Sequence, residues 1–391
     1  MMVWRQTIAL FVDAYRELNA QKLFWVTLAL TALVVLIMAA LGIDEDGLYF
    51  FGWQTPLPFT TAVLDKASFY KLVFSNFGIG IWLSWAAAIL ALISTASIMP
   101  ELVRSGAIDT LLSKPIGRVR LFLTKYATGL LFVTLQVGLF AVGALLVFGF
   151  RAGVWEPRLL LAVPIVVVFF SYLYCVQALL GLVTRSSVAS LLITLLFWFL
   201  VFLMNAADGF LLTFRTQAEL TEQKLVERIE RMETNTERGM RRNIEQEQGP
   251  EAAEAFEPTD EQLDEANPIL RRTREDLEQT QENIDARFGL VWWSDLATGV
   301  KTALPKTGET IALLERELID LDEIDFEQDD DQPANLPTQT PEGVEISQDE
   351  LNREMQERLR DRSVWWIVGT SLVFEAVVLG IGCLIFRRRD F

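Results

Sequence analysis

The chain contains no histidine. That absence removes Ser-His-Asp and Cys-His nucleophilic catalysis and every histidine-ligated zinc centre. Cysteine is nearly absent as well: Cys175 and Cys383 are the only two, and both lie in long apolar runs. Two thiols are too few for a disulfide framework or a four-thiolate metal site, so they read as small apolar packing residues. Nor is there a Gly-x-x-x-x-Gly-Lys-Ser/Thr sequence, so the chain has no phosphate-cradling loop of its own for ATP. No catalytic residue, resident metal or directly bound cofactor is expected.

What is present is unevenly distributed. The 391 residues are 51% hydrophobic with a formal charge of −17. Residues 207–362 hold 40 acidic and 18 basic side chains, whereas the rest of the chain holds 11 and 16. An apolar, slightly basic material is thus interrupted by a strongly acidic one. A helix needs roughly 20 apolar residues to cross a hydrocarbon core of about 30 Å. Six stretches qualify: Leu23–Ile43, Ile79–Met99, Tyr126–Phe148, Leu159–Val183, Val188–Asn205 and Val364–Phe386. Lipid offers no partner to a free backbone amide, so these must be helices.

The expected fold is therefore all-α: a polytopic membrane protein with six transmembrane helices and a large coiled-coil-like helical hairpin inserted between spans 5 and 6. Residues 1–22 precede the first span without a small-residue cleavage pattern, which disfavours a cleaved signal peptide. There Trp4, Ile8, Phe11, Val12, Tyr15 and Leu18 recur at helical spacing, as in an interfacial amphipathic helix. Short connections rich in Lys and Arg stay cytoplasmic. With residue 1 inside, twelve basic residues, from Arg5 to Arg389, fall on that side, against Lys66, Lys71, Arg151 and Arg158 outside. Both termini then lie in the cytoplasm of a cell with its multi-pass chain in the inner membrane, and residues 207–362 lie outside.

Within span region 23–206, the segment Pro100–Tyr126 is the most informative. Glu101, Arg104, Asp109, Lys114, Arg118, Arg120 and Lys125 surround an apolar set of Ile108, Leu111, Leu112 and Ile116, punctuated by Gly106, Pro115 and Gly117. Helix-breaking residues divide it into short pieces. Such a stretch presents an apolar knob with a charged rim to a cytoplasmic partner while fixed to two membrane helices. The alternative is an ordinary positive-inside loop whose charges only set topology.

The order Glu101, Gly106, Ile108, Asp109, Leu111, Leu112, Ser113, Lys114, Pro115 and Arg118 resembles the permease subunits of type-2 ATP-binding-cassette (ABC) transporters. The likeness extends to the six-span layout, the amphipathic start and the closing FRRRDF of 386–391. Leu304, Pro305, Thr307, Thr310, Ile311 and Leu313 are similar to an outer-loop pattern of the six-span permeases associated with multicopper-enzyme maturation. The resemblance implies a homodimer or paired permease, docked through residues 100–125 on a separate ABC ATPase subunit that carries the ATP and magnesium. It covers about 230 residues; the long acidic insertion departs from the family pattern.

In that insertion, over 207–321, a charged helix-forming run from Thr216 to Gln248 stops at Gly249 and Pro250, and Leu263, Leu270, Leu277 and Ile284 then recur every seven residues. Asn267-Pro268 predicts a kink or a helix start. Trp292 and Trp293 suit either a membrane interface or a plug at the hairpin base, and an amphipathic piece over 309–321 follows. Residues 322–348 are acidic and Pro-rich and are expected to be a flexible linker, with Asp329, Asp330 and Asp331 a solvated tract rather than a calcium loop. Residues 349–391 supply an external helix, span 6 and a basic tail.

Glu375 near the middle of span 6 is the foremost intramembrane candidate, since an unpaired charge there is costly. Gln136, Gln177 and Asn205 are the polar residues of other spans that can hydrogen-bond it, line a shared cavity, or simply join helices. Three functions follow: a permease subunit working by alternating access; a mechanotransmitting variant whose external hairpin acts on an envelope partner; and a membrane scaffold without energy coupling. Lipid is a partner in each, and nucleic acid in none.

Overall fold

The computed structural model describes residues 22–55, 60–61, 65–103, 117–285, 289–318, 338–341 and 343–388. The N-terminal amphipathic stretch with Trp4, most of the segment after Val103, and the Asp329–Asp331 tract lie outside the described residues. The chain divides into two compact units. One comprises Met1–Leu203, Thr302–Gln328 and Ser363–Phe391; the other comprises Met204–Lys301 and Asp329–Arg362.

The first unit is a helix bundle. Its long helices are α1 (Lys22–Ala40), α2 (Lys66–Leu102), α3 (Arg118–Ala152), α4 (Pro157–Thr184), the first part of α5 (Ser187–Gln248), and α12 (Trp365–Arg388). Among the described residues these six are long and apolar enough to cross a membrane. Each starts or stops on local chemistry. Asp65 caps α2, its carboxylate accepting from the Ala67 and Ser68 amides at 2.9 and 3.3 Å, and α3 ends at Gly153 in a left-handed conformation. The core is aromatic: Phe122, Phe132, Phe140, Phe148, Phe169 and Phe170 are fully buried. Phe74 stacks on Phe140 at 5.8 Å, and the missing side chain of Gly78 leaves room for that ring.

The two ends of this bundle differ. At one, a three-stranded antiparallel sheet follows α1: β1 (Leu41–Asp44), β2 (Gly47–Phe50) and β3 (Trp53–Gln54). The Leu41 carbonyl accepts from Tyr70 Oη at 2.7 Å and from Arg151 at 3.3 Å, and Lys66 pairs with Asp44 at 2.7 Å. At the other end, Pro100 packs on Gly181 and Arg118 donates to the Arg387 carbonyl at 3.3 Å. The helices thus alternate in direction. The all-α expectation is amended here, because Glu45 and Asp46 make a two-residue reversal, with Gly47 at φ 127° opposite Asp44, that pairs two short strands.

In the second unit α5 continues unbroken to Gln248, where Gly249 (φ 95°) and Pro250 end it. Then come α6 (Pro250–Glu254), α7 (Asp260–Ala266), α8 (Pro268–Asp285), α9 (Leu290–Ala303), which runs on into the first unit, and α11 (Gln348–Arg360); α10 (Thr307–Leu318) belongs to the first unit. Thr259 and Gln262 form a reciprocal cap on α7. Asn267 is extended, and its side chain accepts from the Ile269 and Leu270 amides, so helix stops and restarts at Asn267-Pro268. The bonds Asn267 to Thr236, Arg274 to Glu233 and Gln281 to Glu222 advance along α8 while receding along α5. Ile229, Leu263 and Leu270 are buried between them.

The linker expected over 322–348 ends earlier than composition indicates. Strands β4 (Thr338–Gln339) and β5 (Glu345–Ile346) pair, and Val344 and Ile346 are buried with Leu220 and Leu225. Two apolar side chains with a surface to meet suffice to order a short polar hairpin.

Candidate functional site

In α12 the i, i+4 spacing puts Ser371 and Glu375 on one face of the helix. Glu375 is half-buried, and both its oxygens meet hydroxyls. Tyr126 Oη of α3 lies 2.8 Å from Oε1, and Ser171 Oγ of α4 lies 2.7 Å from Oε2. Each hydroxyl has a second acceptor on helix backbone. Tyr126 Oη is 3.0 Å from the Ser171 carbonyl, and Ser171 Oγ is 2.8 Å from the Val168 carbonyl. A hydroxyl has one proton to give. Each hydroxyl is thus shared between the Glu375 carboxyl and a helix carbonyl, and can turn from one acceptor to the other without backbone movement.

Its wall is aromatic. The Tyr126 ring stacks on Tyr174 at 5.0 Å and 11°, and Tyr174 stacks on Phe170 at 5.4 Å and 19°. Gly129 on α3 makes this possible, because a Cβ there would come within 2.4 Å of the Tyr174 ring.

One turn before Glu375 the same helix holds a cation. Lys306 is fully buried. Its ammonium bonds Thr370 Oγ1 at 2.5 Å and lies 4.3 Å from the Trp366 ring centre, while its backbone amide donates to Ser371 Oγ at 3.0 Å. Pro305, Thr307, Thr310, Ile311 and Leu313 around it are buried too. Burial pushes the Glu315 carboxyl of α10 up from its ordinary value, and a Ser75 hydroxyl at 3.4 Å pulls part of the way back. Nothing in the local sequence of Lys306 distinguishes it from a surface lysine.

The other polar residues of the spans are placed differently. Gln177 joins α4 to α2: its amide donates to the Leu92 carbonyl at 2.9 Å and accepts from Thr95 Oγ1 at 3.1 Å. Gln136 is buried, and neither amide atom has a hydrogen-bond partner among the described residues. It lines a void of about 10 Å³ with Ala88, Ala91 and Phe170. Asn205 is half-buried and belongs to the second unit.

That unit has its own buried carboxylate. Asp208 Oδ2 takes Lys301 Nζ at 2.6 Å and both terminal nitrogens of Arg362 at 3.2 Å. All three side chains are largely shielded from solvent. Three separate chain segments, Asp208 in α5, Lys301 in α9 and Arg362 after α11, are held by one oxygen.

Of the segment at 100–125, Arg104, Gly106, Ile108, Asp109, Leu111, Leu112, Lys114 and Pro115 fall outside the described residues. Its two flanks are described. Glu101 is exposed at the end of α2, whose Met99, Pro100 and Leu102 are buried, as is Val103 just beyond. Arg118 opens α3 against the end of α12. Among the described residues no His/Cys/Asp/Glu group of three or more is arranged to hold a metal ion.

A scan of protein-family models, a search of curated proteins and a search of solved structures each find nothing that matches the chain.

Proposed function

We propose that the chain is the membrane-spanning permease subunit of an ABC transporter, set in the cell membrane with both termini cytoplasmic and residues 207–362 outside. A separate ATPase subunit docks on residues 100–125 and supplies the work of ATP hydrolysis; the chain itself is no enzyme. One observation carries this reading: both flanks of the docking segment are fixed to the helices that build the Glu375 site. On the entry side, a Cβ on Gly181 of α4 would already press on Pro100 at 3.0 Å. On the exit side, Arg118 holds the Arg387 carbonyl of α12. Close packing transmits displacement rather than absorbing it, so a push on the segment reaches Ser171 and Glu375 together. Two copies of the chain, or this chain with a second permease, form the translocating pair.

The test is co-purification in mild detergent followed by ATPase-coupled transport. A tagged chain is expected to bring down a nucleotide-hydrolysing subunit, and Glu101→Lys or Asp109→Lys to release it. If no ATPase is recovered and both variants retain full cellular function, the proposal is wrong.

The uninterrupted course of α5 from apolar into charged sequence favours a second reading, in which the external helical hairpin delivers motion to an envelope partner. Deleting residues 216–290 separates the two: a pore keeps ATP-coupled transport, and a transmitter loses its output.

A further inference from the structure

Helix α9 is amphipathic in the wrong sense for water. Around its axis the side chains turned inward are Ser294, Ala297 and Lys301, all buried. The opposite arc carries Trp292, Trp293, Leu296 and Val300, each 39–47% exposed, together with Gly299. That arc holds no charge. Asp295 stands at its edge, 3.7 Å from Arg215. A helix on an aqueous surface buries its apolar stripe and exposes its polar one; here a lysine is inside and two tryptophans are outside.

Helix α5 does the same alongside it. Lys301 meets Asp208, and Ser294 and Asp295 meet Arg215. The two helices therefore run antiparallel, seven residues apart in each. Between those levels α5 turns Phe210 and Phe214 outward, 67% and 58% exposed. Asp208 is the one ionisable residue of α5 before Arg215, and its charge is neutralised inside the unit.

We propose that this collar, formed by Phe210, Phe214, Trp292, Trp293, Leu296 and Val300, is covered by phospholipid of the outer leaflet, and that the bilayer reaches to the level of Phe214 and Trp292. The reading rests on the transmembrane placement of α5 but not on ATP coupling. Three observations select lipid as the occupant. The exposed apolar face of α5 runs through Val188, Leu192, Leu196, Phe199 and Leu203 to Phe210 and Phe214 within one helix. The 27 residues from Val188 to Phe214 span roughly 40 Å at 1.5 Å per residue, which is about a hydrocarbon core with headgroup layers included. The tryptophans and the Arg215–Asp295 contact close the collar at one level, as aromatic and charged residues do at a membrane boundary.

The full chain in nanodiscs of phosphatidylcholine and phosphatidylglycerol tests this. Nitroxide labels are placed singly by Phe214→Cys, Leu296→Cys and Val300→Cys, with Arg231→Cys as a water-exposed reference and Cys383→Ser as background. Collisions with oxygen and with a water-soluble nickel chelate are then compared. The collar labels are expected to be several-fold more accessible to oxygen than to nickel, the reverse of Arg231. Nickel accessibility equal to that of Arg231 overturns the proposal. So does protection from both reagents with spin–spin broadening or thiol cross-linking between chains, which assigns the face to a second copy. Should a cysteine variant misfold, quenching of the native protein's tryptophans by lipids brominated near the headgroup, reduced on joint Trp292→Phe and Trp293→Phe substitution while the quenching of the other tryptophans persists, reads the same contact; quenching unchanged by that substitution overturns the proposal.

Discussion

In each unit a carboxylate is gathered in by side chains from other segments, in opposite ways. In the bundle, Glu375 is met by the hydroxyls of Tyr126 and Ser171 and faced by stacked rings. In the charged unit, Asp208 is met by a lysine and an arginine. A hydroxyl can turn between two acceptors, whereas a lysine and an arginine grip a carboxylate through charge-assisted bonds. The first arrangement is adjustable, and the second suits a clamp.

The largest expected effect breaks the clamp. Asp208→Ala removes the carboxylate that Lys301 and Arg362 share, and loss of one partner of a buried pair costs about 3–5 kcal/mol. Thermal unfolding and limited proteolysis of residues 204–301 should both register it, whereas a near-neutral result would mean that water reaches the trio. Next is Gly129→Ala in the bundle. The added methyl collides with Tyr174 and, as an overpacking change, should destabilise by about 1–3 kcal/mol; its Tyr126 stack should loosen, visible as altered tyrosine absorption.

Glu375→Gln sharpens the contrast. The amide keeps an acceptor for one hydroxyl and supplies donors, so stability should move little while transport falls. Unchanged transport would return Glu375 to a purely structural role. Finally, burial raises the Glu219 carboxyl, but hydrogen bonds from Arg215 and Arg358 outweigh it and leave it below its ordinary value. A depressed acid stabilises fully above the ordinary glutamate range and loses that stabilisation as pH falls through the lowered value. The Glu219 contribution should thus be lost in that acid window, read by circular dichroism, and Glu219→Gln should flatten this limb.

The long apolar helices were legible because hydropathy over twenty residues tolerates few other readings, and the Gly249-Pro250 and Asn267-Pro268 breaks follow from backbone chemistry alone. The enclosure of Asp208 was not. In the sequence it reads as the polar end of an apolar run, and its pairing with Lys301 and Arg362 comes only from tertiary structure. Asp46-Gly47 carried a reversal signal that apolar flanks masked. The partners of Glu375 were invisible for another reason: Tyr126 and Ser171 stand 249 and 204 positions away, within runs whose composition reads as uniformly apolar. Lys306 was likewise unremarkable until Thr370 and Trp366 enclosed it.

The spare acceptors beside Tyr126 and Ser171 bring two timescales together. Hydroxyl rotors turn in picoseconds to nanoseconds, while packed helices shift in microseconds to milliseconds. The hydroxyl bonds around Glu375 can therefore re-form many times during any single shift of the helices that carry them.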